Sequence, residues 1–453
     1  MASSKKCRHA DLAHHLASFL QRHTHPGSRL LLGLSGGLDS RVLLDLLVKL
    51  RSHCNFTLSA LHVNHGISPH AGAWAEFCAR LCAAEQVLFK AVAVEITRAG
   101  GLGLEAAARE VRYAALLAEP SDFLILAHHR DDQAETLLLQ LLRGAGAKGL
   151  AAMGEVAERG QKMILRPLLD CSRSTLTEYA ESQDMEWIED ESNLDLAYDR
   201  NFLRHHIVPE LEQRFPAARS TLARSARHLA EASTLLQELA ALDAAAMVAG
   251  DRLELAALRQ LSMPRAKNLL RYWMSLAGIT LPPSVRLEEM LRQLLEAKAD
   301  ARVLFRLGSH QLRRYRDHAW LVVQDPEQPR DICLDWHVES ALIMEGLGVL
   351  EFSRTLGSGI SQERLTGGKL TVRLRQGGER LQPDAARPMR SLKSLLQGSG
   401  VPPWQRERMP LLFYGDELVA VPDVGIACDW QAAAGEVGVL LEWKPVGVAP
   451  SPR

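Results

Sequence analysis

The sequence predicts an α/β protein: a parallel sheet with helices on both faces, then a helical and small-β middle part, then an α+β or β-rich C-terminal part. Three observations predict it. Through residue 190, apolar runs of strand length alternate with stretches of helical period. Those runs, Phe123-Leu124-Ile125-Leu126-Ala127 above all, lack polar alternation, as strands buried on both faces do. Past Arg200 the texture changes, first to Leu- and Ala-rich helix and then to strands, glycines and prolines.

The elements follow in order. Residues 10–22 alternate as an amphipathic helix. Leu30–Leu34 is a short buried strand, and Arg41–Leu50, apolar at Leu43, Leu46, Leu47 and Leu50, is a helix. Thr57–Val63 is a second strand, a helix runs around Ala73–Glu85, and a strand lies near Val87–Ile96. Leu104–Ala118 is a helix carrying Glu105, Arg109, Arg112 and Tyr113; Phe123–Ala127 and Asp131–Arg143 give a further strand and helix. Residues 162–190 read as one more strand-helix-strand unit closing on Trp187-Ile188-Glu189-Asp190. Residues from Arg200 to about Met247 are helical, Ser284–Lys298 is a helix behind Pro282-Pro283, and Arg302–Val323 alternates like a hairpin or three-stranded sheet. Asp325-Pro326-Glu327-Gln328-Pro329 reads as a linker, and the final Pro450–Arg453 as frayed. The expected domains are 1–215, 216–325 and 330–453. In open parallel sheets ligands sit at the carboxyl ends of strands. His62, Asn64, His65, His128, His129, Asp131 and Asp132 all fall there.

Composition narrows the class. A hydrophobic content of 47% and a charged content of 24% are ordinary for a soluble globular chain. The net charge of −1 means that a nucleic-acid partner must be met by a local basic patch. Seven scattered cysteines, an odd number without a CxxC, argue against a disulfide framework or a zinc or iron–sulfur site. Cys78 and Cys82, four apart on a helix, are expected in core packing. No apolar run reaches membrane-spanning length, so the expectation is a reduced, cytoplasmic protein with no membrane partner.

The chain is organised around Ser35-Gly36-Gly37-Leu38-Asp39-Ser40, the turn from the first strand into a helix. Adjacent glycines let backbone amides approach a ligand, and amides at a helix start bind anions. No lysine follows, so this is not the GxxxxGK[ST] loop. A tight glycine turn with Ser40 only capping is the plain alternative; five defined positions in six, in a strand-turn-helix setting, argue against it. The hexapeptide resembles the PP-loop of N-type ATP pyrophosphatases, which cleave ATP between its α- and β-phosphates. That resemblance implies the fold of the PP-loop ATPases and adenine nucleotide α-hydrolase-like proteins, with ATP as cosubstrate.

His128-His129-Arg130-Asp131-Asp132-Gln133-Ala134-Glu135-Thr136 is the second informative stretch. A capping box with Asp132 as N-cap and Glu135 three residues on accounts for the acids but not for the histidines or the arginine. With the loop upstream, and with His62-Val63-Asn64-His65-Gly66, Arg109, Arg112-Tyr113, Arg143-Gly144-Ala145-Gly146 and Arg166-Pro167-Leu168-Leu169, the chain resembles the tRNA(Ile)-lysidine synthetase family. The likeness continues through Trp187–Asn193, Tyr198–Arg204, Lys393–Gln397 and Val401–Trp404, nearly the whole chain. It implies a two-step reaction. ATP adenylates the carbonyl oxygen on carbon 2 of the wobble cytosine of a CAU-anticodon isoleucine tRNA; the ε-amine of free L-lysine then displaces AMP.

The residues permit that chemistry. Ser35, Gly36, Gly37, Leu38, Asp39 and Ser40 suit the nucleotide's phosphates, and Asp39 is a candidate Mg²⁺ ligand. Arg109 and Arg112, three apart on one helix, can neutralise charge developing on the phosphate, or can form an exposed ion-paired face. A lysine ammonium needs acidic docking and must lose a proton. Asp132 and Glu135 are the docking candidates and His129 the proton-transfer candidate. Arg204 can reach ATP or tRNA phosphate, or can pair with Asp199 or Glu210.

Charge also marks a candidate tRNA grip. Between Arg373 and Arg408, eight basic residues (Arg390, Lys393 and Arg406 among them) face Glu379, Asp384 and Glu407. Trp404 lies among them, able to stack on a base or to sit in a core. Arg302, Arg306, Arg313, Arg314 and Arg316 form a second cluster. Solvated faces are the plain reading of both; in the family such appended domains hold tRNA. The resemblance leaves the oligomeric state as monomer or homodimer. The rivals are a tRNA 2-thiolation enzyme, which needs cysteine pairs absent here, an amide- or guanidine-forming PP-loop ligase, and a non-catalytic tRNA-binding ATP sensor.

Overall fold

A computed structural model describes residues 11–66, 68–95, 104–298, 301–324, 332–337, 339–365 and 369–445, with side chains in the helix Leu104–Ala118 from residue 107. The expected linker 325–329, the terminal Pro450–Arg453, Ile96 and the Glu105 side chain lie outside this set. The chain forms two compact units, Met1–Leu235 and Leu236–Arg453.

The first unit opens with α1 (Leu12–His23), whose Leu12, Leu16, Phe19 and Leu20 are all buried, the face that the amphipathic period predicts. β1 (Arg29–Gly33), α2 (Leu38–Leu50), β2 (Thr57–Asn64), α3 (Ala71–Ala84) and β3 (Leu88–Ala93) follow. Then come α4 (Leu104–Ala118), β4 (Phe123–Ile125), α5 (Arg130–Leu142), α6 (Ala147–Leu150), β5 (Val156–Arg159), β6 (Lys162–Leu165) and α7 (Arg173–Ser182). The strand order is β3-β2-β1-β4-β6-β5, parallel except for the edge hairpin strand β5. Alternation across β1 divides the core in two. Leu30 and Leu32 pack with α1, α2 and α7; Leu31, with Leu124 and Ile164, packs under Tyr113 and Leu116 of α4. Helices thus cover both faces, as the unbroken apolar strands predict.

One local reading changes. Trp187–Asp190 is not a strand: it is irregular chain, anchored where the Ile188 amide donates to the Gly36 carbonyl at 2.9 Å. Beyond β6 the sheet ends on the antiparallel edge strand β5, which precedes β6 in the chain. Cys78 and Cys82 are fully buried in the first core, as expected, and Cys333 in the second unit is exposed.

After α7, α8 (Asp199–Phe202) runs through a π-helical turn, Leu203–Ile207, into α9 (Val208–Arg214) and then α10 (Ala218–Met247). The widened turn lies just before Pro209, whose ring has no N–H and would clash with the His205 carbonyl in regular α geometry.

The second unit holds a five-stranded sheet formed by the hairpin Val248–Ala249/Arg252–Glu254 with Leu304–Leu307, His310–Tyr315 and His318–Val323. The expected alternation over Arg302–Val323 is therefore three of five strands. Helices Met263–Leu276 and Ser284–Glu296 close over it around Leu269, Leu270, Trp273, Met290 and Leu291. Further on, a five-stranded and a four-stranded sheet enclose a core in which Trp336 stacks on Phe352 at 4.0 Å. The helix Leu392–Gly398 joins a smaller core with Leu381, Leu411 and Val421.

Candidate active site

The chain leaves β1 toward β2 and β3 on one side and returns to β4 on the other, so β1 and β4 flank the point where strand order reverses. Crevices at such points hold ligands. The Ser35–Ser40 turn leaves the carboxyl end of β1. Gly36 has φ +85°, and a Cβ there would lie 2.6 Å from Ile188 Cδ1 and 3.0 Å from Cys78 Sγ, so only glycine fits. Gly37 is the N-cap of α2. Ser35 and Ser40 hydroxyls lie 3.0 Å apart, Ser40 donates to the Gly37 carbonyl at 3.0 Å, and the Gly37 amide donates to Ser35 Oγ at 3.3 Å. The first-turn amides of α2 remain for an anion.

The second arm leaves β4. The N-cap of α5 is His129, not Asp132: the Asp132 amide donates to His129 Nδ1 at 3.4 Å, and the His129 amide to Asp132 Oδ2 at 2.9 Å. The capping box is real but sits three residues earlier than the Asp-x-x-Glu pattern suggests. His129 is 2% exposed, and its Nε2 stands 3.6 Å from Asp39 Oδ2 and 3.5 Å from Asp132 Oδ2. The two arms of the crevice thus meet at Asp39 and His129. With Nδ1 accepting, neutral His129 carries its proton on Nε2, facing the carboxylates. The expected proton-transfer role finds no free lone pair; the ring caps α5 and steadies Asp39. Burial opposes a charge on His129, but Asp132 and Asp39 outweigh it and hold its pKa above the ordinary value.

Asp132 and Glu135 lie three apart on α5, and across from them stand Arg200 and Arg204, four apart through the π turn. Arg200 donates from Nη2 to Asp132 Oδ1 and from Nε to Glu135 Oε2, both at 2.7 Å. Arg204 donates from Nε to Glu135 Oε1 at 2.7 Å, and from Nη2 to Glu135 Oε2 at 2.9 Å and Asp132 Oδ1 at 3.3 Å. Glu135 is fully buried with both oxygens bonded to guanidinium groups, so it anchors the arginines and cannot dock an ammonium, a correction to its expected role. Arg204 pairs with these carboxylates, not with Asp199 or Glu210. Asp132 keeps 11% of its side chain exposed. Burial pushes its pKa up, but His129 and Arg200 win and hold it below the carboxylate range. Sequence reasoning singled out Arg204 and missed Arg200; the four-residue spacing opposite a three-residue acidic spacing was the available signal.

A third group lies at the ends of β2 and α4. Exposed Arg112 donates from Nε to His65 Nε2 at 3.0 Å, and burial with the nearby Arg112 charge lowers His65 to about 4. Half-buried Arg109 stacks over Tyr113 at 5.3 Å. Burial lowers His128 to about 3, and its Nδ1 is buried without a hydrogen-bond partner among the described residues. Asp39 Oδ1 is likewise buried and unpartnered, as a cation ligand would be. No group of three or more His, Cys, Asp or Glu that could hold a metal occurs among the described residues. The fit is to a hard ion completed by phosphate oxygens and water. Beside the loop runs an open groove of about 570 Å³, lined by Phe77, Arg80, Trp187 and Ile188.

In the second unit, Arg313 and Arg406 gather around aromatic rings. Arg313 lies 4.9 Å over Trp404, which meets Trp320 and Tyr315 edge-on at 6.0 and 6.2 Å. Arg406 donates to Tyr315 Oη at 2.8 Å and to the Val401 carbonyl at 2.7 Å. Trp404 is half-buried, neither core nor free face. Arg314 is buried and bonded to backbone carbonyls. Arg390 and Lys393 are exposed, at the start of the Leu392–Gly398 helix.

Fold and loop define a class: residues 9–211 match the PP-loop domain model. Residues 253–320 match the TilS substrate binding domain and residues 370–443 the TilS substrate C-terminal domain. The tRNA(Ile)-lysidine synthase of Nitrosomonas europaea is 44% identical over 98% of each chain. That of Azoarcus sp. is 44% identical over 94% of this chain and 93% of its own. The chain belongs to the tRNA(Ile)-lysidine synthase family. Among solved structures, a U34-tRNA thiolase from Methanococcus maripaludis aligns with 20% identity and a TM-score of 0.42, over 49% of this chain and 79% of that one. Among the described residues no helix is long and apolar enough to cross a membrane.

Proposed function

We propose that the protein is a carbon–nitrogen ligase that joins free L-lysine to carbon 2 of the wobble cytidine in isoleucine tRNA with a CAU anticodon. The product reads AUA in place of AUG and carries isoleucine identity in place of methionine identity. The observation that carries the reading is the meeting of Asp39, behind the glycine turn, with His129 and Asp132 at the switch point. ATP lies with its β- and γ-phosphates on the amides after Gly36 and on the Ser35 and Ser40 hydroxyls. Mg²⁺, held by Asp39, would supply charge neutralisation on the phosphate oxygens. The cytidine O2 attacks the α-phosphorus, the bond to the bridging α–β oxygen breaks, and pyrophosphate leaves. Arg109 and Arg112 stabilise charge on the phosphate. The neutral ε-amine then bonds to carbon 2, the carbon–oxygen bond breaks, and AMP leaves with the former O2. The adduct releases the amine's surplus proton to solvent. Asp132, backed by Arg200 and Arg204, receives the ε-ammonium before it is deprotonated.

Residues 1–215 are proposed as the catalytic domain, with 216–325 and 330–453 holding the tRNA in the cytoplasm, in a monomer or homodimer. The test is mass spectrometry of nucleosides from a CAU-anticodon isoleucine tRNA transcript incubated with enzyme, Mg²⁺ATP and lysine. The expected product is a cytidine carrying lysine. Asp39→Asn should cut its rate on the order of 10³-fold, as loss of a group aligned with transition-state charge does. Unmodified cytidine with continued ATP consumption would retain the nucleotide chemistry and refute the substrate.

A further inference from the structure

A polar cavity of about 250 Å³ opens where α5 and α7 begin, lined by Arg130, Asp131, Ser172, Ser174, Glu212 and Arg219 among others. We infer that it holds the α-amino and α-carboxylate groups of the free amino acid, with Arg130 on the carboxylate and Asp131 on the ammonium. The inference rests on the reading that lysine is the amine donor and says which residues recognise it as an amino acid.

Both helices start at the carboxyl edge of the sheet, after β4 and β6. Ser172 caps α7, accepting from the Thr175 amide at 3.2 Å, and Ser174 Oγ lies 2.9 Å from Ser172 Oγ. Arg219 crosses the cavity wall: Nη1 donates to Asp131 Oδ2 at 3.0 Å and Nε to Glu212 Oε1 at 2.9 Å. Those bonds leave two lining atoms over. Asp131 Oδ1 and Arg130 Nε are buried without a hydrogen-bond partner among the described residues, and Asp131 is 7% exposed. A buried acceptor and a buried donor, both unmet, call for a ligand that brings one of each.

Charge selects the class. Arg130 and Arg219 balance Asp131 and Glu212, so a net-neutral ligand with both signs fits best. A phosphate would satisfy Arg130 but confront two carboxylates; a plain diamine would satisfy Asp131 and confront Arg130. An α-amino acid brings an ammonium and a carboxylate on one carbon, and the α7 N-terminus favours the carboxylate. Asp131 meets Arg219 and Asp132 meets Arg200, so the two carboxylates leave the first turn of α5 in different directions, and one lysine would run around the helix start with its α-groups in the cavity and its ε-amine toward Asp132.

The test compares lysine with 1,5-diaminopentane, which keeps the reacting amine and lacks the carboxylate, as donors to the same tRNA with the full-length enzyme. Wild type should prefer lysine strongly in kcat/KM. Arg130→Gln should raise KM for lysine at least tenfold and shrink the lysine preference at least tenfold. Ser174→Ala, which disturbs the fold less, should move both severalfold in the same direction. A preference unchanged in both variants overturns the inference. So does a raised KM for tRNA with the preference intact, which would assign the cavity to a phosphate. If wild type transfers lysine but the variants leave its preference intact, only the cavity assignment falls; if wild type transfers no lysine, the functional reading falls with it.

Discussion

His65 and His128 are neutral histidines at the catalytic edge, held at about 4 and about 3 by burial and by nearby arginines. An unfolded chain binds protons on them below about pH 6.5, whereas the folded chain does so only near those lower values. Their share of stability is therefore complete above about pH 6.5 and is lost as pH falls toward 4 and then 3. Asp132, held below its ordinary range, contributes above about pH 4 and loses that contribution on further acidification. His129, held above its ordinary value, works in the opposite sense: its contribution is full below about pH 6.5 and declines as pH rises through its folded value. The thermal midpoint should thus fall progressively below about pH 6.5, and His65→Gln should flatten the stretch between about 6.5 and 4. A midpoint that stays level to pH 4 in wild type would contradict the burial of these rings. None of this is visible from the sequence, where all four residues read alike as polar groups after strands.

At the scale of elements, the glycine turn is the most constrained piece. Gly36→Ala places a methyl group on Ile188 and forces a left-handed φ on alanine. The expected cost is about 2 kcal/mol, read as a lower melting temperature and weaker ATP binding. Adding Ile188→Val removes the clashing Cδ1 but not the strain at φ, so rescue should be partial. Full rescue would assign the effect to packing alone, and no rescue would assign it to the backbone alone. This contact also explains an error of reading. Trp187-Ile188 looks like a strand because it is apolar and follows a helix; its amide instead serves the loop, a pairing that only the fold creates. The helices were legible for the opposite reason. α1 announces its period locally and buries the face that the period predicts; α2 buries its periodic Leu43, Leu46, Leu47 and Leu50 and also Val42, Leu44 and Asp45. The cap of α5 was misplaced because an Asp-x-x-Glu pattern fits a capping box equally well one turn later, and a histidine N-cap is uncommon. The carboxylate partners of Arg200 and Arg204 escaped alike, because both arginines pair with residues more than sixty positions away.

Over the whole molecule, the PP-loop match lies in the first compact unit and both TilS substrate-domain matches lie in the second. The parallel sheet and the residues after β1 and β4 were readable from motif order. The proposed tRNA grip was readable only as charge. Several of the counted arginines are spoken for in the second unit: Arg313 and Arg406 hold Trp404 and Tyr315, and Arg373 and Arg387 pair with Asp416 and Asp384. Exposed Arg390 and Lys393 remain the better candidates for phosphate. The double variant Arg390→Ala, Lys393→Ala should weaken tRNA binding and lower the slope of log affinity against log salt by about 1 to 2, with pyrophosphate release at saturating tRNA little altered. An unchanged slope would move the footprint elsewhere.

The central claim is that the cytidine oxygen itself attacks ATP and departs on AMP. The most direct measurement uses tRNA whose wobble cytidine carries ¹⁸O at O2, incubated with enzyme, Mg²⁺ATP and lysine, followed by mass spectrometry of the AMP released. The account predicts one ¹⁸O in the AMP for each cytidine that gains lysine. Lysine-modified cytidine accompanied by unlabelled AMP would contradict it.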